Sequence, residues 1–123
     1  LSLHDALPIC AKPLPQTLAF VRELKERGIP VYLLSNAPTY FADYMKDHEI
    51  LKPFDGILFS APIHMAKPDQ EIYEYFFRKF DLNPSECFFI DDLEKNIQGA
   101  KDAGMDGIIF TGDIQAVKDA IDF

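Results

Sequence analysis

The run Phe88-Phe89-Ile90-Asp91-Asp92 is an apolar, strand-like segment that ends abruptly in two carboxylates. The residues that follow it, 93–100, have the mixed polar and apolar spacing of a helix. Two adjacent acids at the end of a buried strand offer the oxygen ligands that a hard divalent cation prefers. The run therefore predicts a metal site held by Asp91 and Asp92.

The same design occurs earlier in the chain, where the apolar residues 31–34 are followed by Ser35 and Asn36. Between the two runs, Lys67-Pro68 opens another helical segment. In open parallel sheets the chemistry collects where the strands end, beside the N-termini of the following helices. We therefore expect Ser35, Lys67 and the Asp91-Asp92 pair to lie along one sheet edge.

Strand and helix patterns alternate along the chain, with Gly and Pro at several of the boundaries. Helices are predicted over 16–27, 38–49, 69–80, 94–103 and 114–121, and strands over 29–34, 56–59, 87–90 and 107–110. Unbroken apolar strand runs that alternate with helices are typical of a parallel sheet covered on both faces. The predicted fold class is α/β, a Rossmann-like parallel sheet with flanking helices.

Composition and charge narrow the class of protein. The 123 residues carry 20 Asp and Glu against 12 Lys and Arg, a formal net charge of −8, and the basic residues are scattered. This argues against nucleic acid and anionic membranes as partners. The two cysteines form neither a disulfide framework nor a CxxC metal site, and no apolar run approaches the roughly 18 to 20 residues of a membrane span. We expect a cytoplasmic protein, and the sequence leaves its oligomeric state open.

The ordered set of a strand-Ser, a downstream Lys and a strand-Asp-Asp resembles the haloacid dehalogenase-like (HAD) hydrolase superfamily. Three segments carry the resemblance to its second, third and fourth motifs: Leu33-Leu34-Ser35-Asn36, Lys67-Pro68-Asp69 and Phe89-Ile90-Asp91-Asp92. Acids at the fourth motif are similar to the Mg²⁺-dependent phosphatase branch of subfamily I type, whereas the metal-free dehalogenases resemble Ser-Asn-type sequences there. The resemblance implies a hydrolase of small phosphorylated metabolites, such as sugar phosphates, that works through an aspartyl-phosphate.

The resemblance also implies a role for each site residue. Asp91 and Asp92 would hold Mg²⁺, and Lys67 would neutralise a nucleophilic carboxylate and the phosphate. The Ser35 hydroxyl would donate to a phosphoryl oxygen, and the Asn36 backbone N–H would add a second donor. Ser35 and Lys67 are thus expected to be catalytic, and both are expected to bind substrate together with Asn36.

The family's first motif, a strand ending in Asp-x-Asp whose first Asp is the nucleophile, has no match in this sequence. Asp5 is rejected because Leu7 stands where the second Asp should be. The helical cap that follows the first motif is also missing. We interpret residues 1–12 as a non-native or mistranslated leader and 13–123 as the C-terminal portion of a HAD-like core. We expect this chain alone to be inactive and poorly stable, because the missing strand belongs between the strands that end at Ser35 and Asp91.

Other interpretations compete with these assignments. Asp92 is a suitable N-cap for the next helix, Ser35-Asn36 is a plausible cap as well, and a lone Lys before Pro is usually solvated. A receiver domain of two-component signalling also combines an acid pair, a hydroxyl and a lysine, but in a different chain order. A degenerate, non-catalytic HAD-like binding module remains an alternative because the nucleophile is missing.

Overall fold

Helices and strands alternate along the part of the chain that the structure, a computed structural model, describes: residues 15–36, 43 and 49–121. The elements in chain order are α1 (Pro15–Glu26), β1 (Tyr32–Ser35), β2 (Gly56–Phe59), α2 (Gln70–Phe80), β3 (Phe88–Asp91), α3 (Glu94–Asp102), β4 (Asp106–Ile109) and α4 (Ile114–Ala120). Three short 3₁₀ helices occupy Glu49–Leu51, Ala61–Ile63 and Pro84–Glu86. All four predicted strands and four of the five predicted helices are confirmed within a few residues. Of the predicted helix over 38–49, Asp43 is helical and most of the rest lies outside the described residues.

The first strand begins later than predicted, at Tyr32 rather than Ile29. The N–H of Ile29 donates to the carbonyl of Leu24 (3.0 Å), and the N–H of Gly28 donates to the carbonyl of Lys25 (3.0 Å). These two hydrogen bonds are those of a Schellman motif at a helix C-terminus. Gly28 has a φ of +76°, a conformation that glycine adopts without steric cost. Residues 28–30 therefore form the end of α1, and the parallel pairing of β1 starts only after Pro30.

The chain divides into two compact units, residues 1–64 and 65–123. In the first, β1 pairs in parallel with β2, in a register that runs from Tyr32 opposite Gly56 to Ser35 opposite Phe59. In the second, β3 pairs in parallel with β4, from Phe88 opposite Asp106 to Asp91 opposite Ile109. Parallel pairing is confirmed, and the described strands form two two-stranded parallel sheets.

Each unit buries its own apolar side chains. In the second unit, α2 contributes Ile72, Tyr73, Phe76 and Phe77, and β3 and α3 contribute Phe89, Ile97 and Ala100. The aromatic residues of α2 that are buried are therefore core, as their helical spacing indicates. Every helix in the described part of the chain falls short of the length and hydrophobicity that crossing a bilayer requires.

In the first unit, Asp55 ties the end of α1 to the start of β1. Its carboxylate accepts hydrogen bonds from Lys25 Nζ (2.5 Å) and from the Val31 N–H (2.7 Å), and its own N–H donates to the Val31 carbonyl (2.7 Å). The Lys25 hydrogen bond lowers the pKa of Asp55 against the opposing effect of partial burial, and the Val31 N–H lowers it further. A carboxyl with a lowered pKa stabilises the fold above its unfolded pKa, and the gain is lost as the pH falls through its folded value.

Asp55→Asn should therefore destabilise the protein at neutral pH, and the difference should shrink below about pH 4. The side chains of Lys25 and Asp55 are both about one-third exposed. Solvent screening therefore limits the expected loss in the free energy of unfolding to between a few tenths and about 1 kcal/mol. Urea unfolding at several pH values measures it, with the exposed Glu71→Gln as the control. A deficit that stays constant down to pH 3, roughly one unit below the ordinary Asp value, would contradict this account.

Candidate functional site

A buried ion pair joins two of the predicted site residues. Lys67 Nζ lies 2.6 Å from Asp91 Oδ2, and the two residues are only 4% and 1% exposed. Charged groups this deep are costly unless they are paired and further hydrogen-bonded. Asp91 meets this condition, because Oδ2 also accepts from Asn96 Nδ2 (3.3 Å) and Oδ1 accepts from the Leu93 N–H (3.0 Å).

The hydrogen bonds and the neighbouring charge keep Asp91 ionised. Burial by itself raises the pKa of Asp91, but the charge and hydrogen bond of Lys67, together with the Leu93 N–H, outweigh it and lower the pKa. The carboxylate is therefore an anion at neutral pH despite its burial. Such a group is suited to holding a cation or to balancing a positive charge.

Lys67 lies in a segment that is packed closely against α3. Its Nζ sits over the ring of Phe89 from β3, 5.5 Å from the ring centroid, which is within cation–π range. The next residue, Pro68, contacts Gly99 of α3 so closely that a Cβ at position 99 would stand 2.9 Å from Pro68 Cβ and 3.0 Å from the Pro68 carbonyl oxygen. Glycine at 99 thus allows the Lys67-Pro68 segment to approach the helix that follows Asp91.

Asp92 is exposed, directly after β3. The interpretation of Asp92 as a helix N-cap is wrong: α3 begins at Glu94, its N-cap is Leu93, and the Leu93 N–H donates to Asp91 rather than Asp92. Asp91 makes this contact because it is the buried member of the pair. The interpretation of Lys67 as a solvated lysine is also wrong, since it is buried against Asp91.

The donor set at the end of β3 fits a hard divalent cation in kind. Asp91 and Asp92 supply two adjacent carboxylates, which are ligands that Mg²⁺ uses. Within the described residues no cluster of three or more His, Cys, Asp or Glu side chains could hold a metal. These two acids can therefore contribute only part of a coordination sphere, with the rest coming from water, a phosphate or other carboxylates.

Ser35 and Asn36 lie in the first unit, at the end of β1. Ser35 is 1% exposed, its carbonyl accepts from the Ser60 N–H (3.0 Å), and its Oγ has no hydrogen-bond partner among the described residues. Asn36 is exposed. Their suggested role as a cap for the next helix falls on residues outside the described part of the chain. The structure thus brings Lys67 and Asp91 together in one unit, whereas Ser35 and Asn36 belong to the other.

From the sequence, Asn96 and Gly99 are residues that follow the fourth motif and Tyr73 is a core residue after the third, and none of them is assigned a contact in the site. Asn96 is 2% exposed and donates to Asp91, and Tyr73 Oη donates to the Asn96 carbonyl (2.8 Å). Two features of the sequence point to these residues. Asn96 follows Asp92 at a spacing of one helical turn, and Gly99 lies inside a helix, where glycine is unfavourable unless another segment packs closely against it. The contact between Tyr73 and Asn96 joins residues 23 apart and has no sequence signature.

Comparison with known proteins identifies a family to which this chain is similar. The family model for haloacid dehalogenase-like hydrolases matches residues 3–104. The sesquiterpene phosphatase astK of Aspergillus oryzae is 36% identical over 83% of this chain and 53% of that protein. The (S)-2-haloacid dehalogenase of Pseudomonas sp. (strain YL) is 32% identical over 66% of this chain and 35% of that protein.

Among solved structures, a HAD family enzyme of Bacteroides thetaiotaomicron, an Asp-to-Ala mutant in complex with magnesium and inorganic phosphate, superposes with a TM-score of 0.72. It is 28% identical over 82% of this chain and 55% of that chain. The chain thus spans about half the length of the first curated relative and of this structure. Because the family model covers most of the sequence and the Rossmann-like elements match part of a HAD core, the chain belongs to the haloacid dehalogenase-like hydrolase family.

Proposed function

We propose that the chain is the C-terminal part of a Mg²⁺-dependent phosphatase that hydrolyses small phosphorylated metabolites in the cytoplasm through an aspartyl-phosphate. The buried Lys67–Asp91 pair is the observation that carries the proposal, since burying two charges is costly and a buried salt bridge is weak evidence for a purely stabilising role. The likeness to a phosphatase, and to a HAD enzyme that holds magnesium and phosphate, supports it.

The residues divide the work of phosphoryl transfer. Charge spreads over the equatorial oxygens of the transferring group, so positive groups and hydrogen-bond donors accelerate the reaction. Lys67 provides a fixed ammonium, the Ser35 hydroxyl a donor whose Oγ has no partner among the described residues, and the Asn36 N–H a second donor. Asp91 and Asp92 would hold Mg²⁺, which supplies further neutralisation of the phosphate oxygens when bound.

The nucleophile is not in this sequence, because no Asp-x-Asp occurs anywhere in its 123 residues. We propose that a longer product supplies it and that this chain alone releases no phosphate. The interpretation of residues 1–12 as a foreign leader falls outside the described residues and stays a prediction. The direct test compares Mg²⁺-dependent hydrolysis of p-nitrophenyl phosphate by this chain and by the full-length product of its source gene.

A non-catalytic binding module is the second candidate, and the missing Asp-x-Asp favours it. The two candidates differ in one measurable respect. A phosphatase releases inorganic phosphate once the first motif is present, whereas a binding module retains phosphate ligands without turnover at any length of chain.

Ser35→Ala separates catalysis from stability. Among the described residues the buried Ser35 hydroxyl has no hydrogen-bond partner, and a buried hydroxyl left unpaired costs roughly 1–3 kcal/mol, so its removal should leave the free energy of unfolding unchanged or slightly higher. If Ser35 donates to the phosphoryl group, kcat of the full-length enzyme should fall about 10² to 10³-fold. Ser60→Ala, a buried serine directly after β2, is the matched control and should keep its activity. A Ser35→Ala enzyme with unchanged kcat would remove Ser35 from the mechanism.

A further inference from the structure

One tyrosine contacts the neighbours of both charged residues in the second unit. We propose that Tyr73 is the positioning residue of the Lys67–Asp91 pair, acting on Asp91 through Asn96 and on Lys67 through Phe89. The importance of the pair for catalysis rests on the proposed function, whereas the positioning itself rests on contacts within residues 65–121.

The first connection runs through Asn96, in the first turn of α3. Tyr73 Oη donates to the Asn96 carbonyl (2.8 Å), and Asn96 Nδ2 donates to Asp91 Oδ2 (3.3 Å). The amide has to present its nitrogen to Asp91, because the reverse orientation would place its oxygen against a carboxylate. Tyr73 therefore fixes the main chain of the residue whose side chain holds Asp91.

The second connection runs through Phe89 on β3. The rings of Tyr73 and Phe89 meet edge to face, with centroids 6.0 Å apart and an interplanar angle of 86°. The same Phe89 ring lies under Lys67 Nζ. A rotation of the Tyr73 ring would therefore displace the aromatic face on which the ammonium rests.

Tyr73 has little freedom of its own. The Tyr73 side chain is fully buried and packs directly against Gly99, since a Cβ at position 99 would be 3.0 Å from Tyr73 Cε2. Burial, followed by the charges of Asp91 and Asp69, raises the pKa of Tyr73, so the hydroxyl stays protonated and acts as a donor. A rigid, neutral donor in this place is suited to orienting its neighbours.

The test uses Tyr73→Phe in the 123-residue protein, because phenylalanine keeps the ring and removes only the hydroxyl. Tyr75→Phe, a half-buried tyrosine on the same helix, is the matched control. Three quantities are measured: the thermal unfolding midpoint, the NMR signals and exchange rates of the Asn96 side-chain amide and the Lys67 ammonium protons, and the affinity for Mg²⁺ alone by titration calorimetry.

We expect Tyr73→Phe to remain folded, while the Asn96 amide protons shift and exchange about tenfold faster and the Mg²⁺ affinity falls about tenfold. Tyr75→Phe should leave the NMR signals and the affinity unchanged. In an Asn96→Ala background, Tyr73→Phe should produce no further loss of Mg²⁺ affinity, because the connection to Asp91 is already broken.

A tyrosine that only fills the core gives a different result. In that case Tyr73→Phe and Tyr75→Phe leave the Asn96 signals equally unmoved, which overturns the inference. If the wild-type 123-residue protein binds no Mg²⁺, Asp91 and Asp92 alone do not form a metal site, and the NMR signals decide whether Tyr73 positions the pair. If Tyr73→Phe does not fold, Asn96→Ala serves as the second variant. A folded Asn96→Ala protein with unchanged Lys67 and Asp91 side-chain signals would overturn the inference.

Discussion

Lys67→Met should destabilise the protein by about 3 to 5 kcal/mol, the cost of leaving a buried charge without its partner. Methionine fills a similar volume without a charge, so Asp91 would remain 1% exposed with its ammonium partner gone. The pKa of Asp91 should then rise, because its burial would no longer be offset by Lys67. Urea unfolding at neutral pH measures the loss, and the exposed Lys101→Met is the matched control.

The double variant Lys67→Met/Asp91→Asn tests the reason for that loss. Both buried charges are then removed, while the asparagine oxygen can still accept from the Leu93 N–H. Replacement of a buried ion pair by well-packed apolar residues is often neutral or stabilising, and because no unpaired charge is left in the double variant, most of the lost stability should return. If the double variant is as unstable as the single one, unpaired charge is not the cause.

Gly99→Ala is expected to destabilise the protein by about 1–3 kcal/mol, although alanine is the better helix former by about 1 kcal/mol. The added Cβ would lie within 3.0 Å of both Pro68 and Tyr73, closer than carbon atoms tolerate. Helix α3 would have to move away from the Lys67-Pro68 segment, which would also loosen the contacts of Lys67 and Asp91.

Thermal and urea unfolding measure the effect of Gly99→Ala. Gln98→Ala, at the adjacent and exposed position of α3, is the control and should change the free energy of unfolding by a few tenths of a kcal/mol. A Gly99→Ala protein that is more stable than the wild type would show that helix propensity, rather than close packing against Pro68, decides at this position.

The elements of the second unit could be predicted because local signals agree with tertiary structure there. An apolar run ending in acids marks β3, and the helical spacing of Ile72 and Phe76 marks the buried side of α2. Gly104, with a φ of +103°, follows the C-terminal end of α3, where a glycine is a common helix stop. The placement of Lys67 and Asp91 at the same site also followed from the sequence, through the order of the motifs.

What the sequence could not predict depends on long-range contacts. The pattern indicates Asp92 as an N-cap, whereas the structure places the buried Asp91 in contact with Lys67 and with the Leu93 N–H. The strand β1 begins later than the apolar run suggests, because the N–H groups of Gly28 and Ile29 are hydrogen-bonded to the end of α1 and are not available to a strand partner.

The measurement that tests the central claim most directly is the release of phosphate by the full-length product, wild type against Lys67→Met/Asp91→Asn. The assay uses p-nitrophenyl phosphate with and without Mg²⁺, after unfolding curves have established that both proteins are folded. The account predicts Mg²⁺-dependent turnover by the wild type and a folded double variant without measurable turnover. A folded double variant that hydrolyses the phosphoester at the wild-type rate would contradict a catalytic role for the pair, as would a wild type with an intact first motif and no activity.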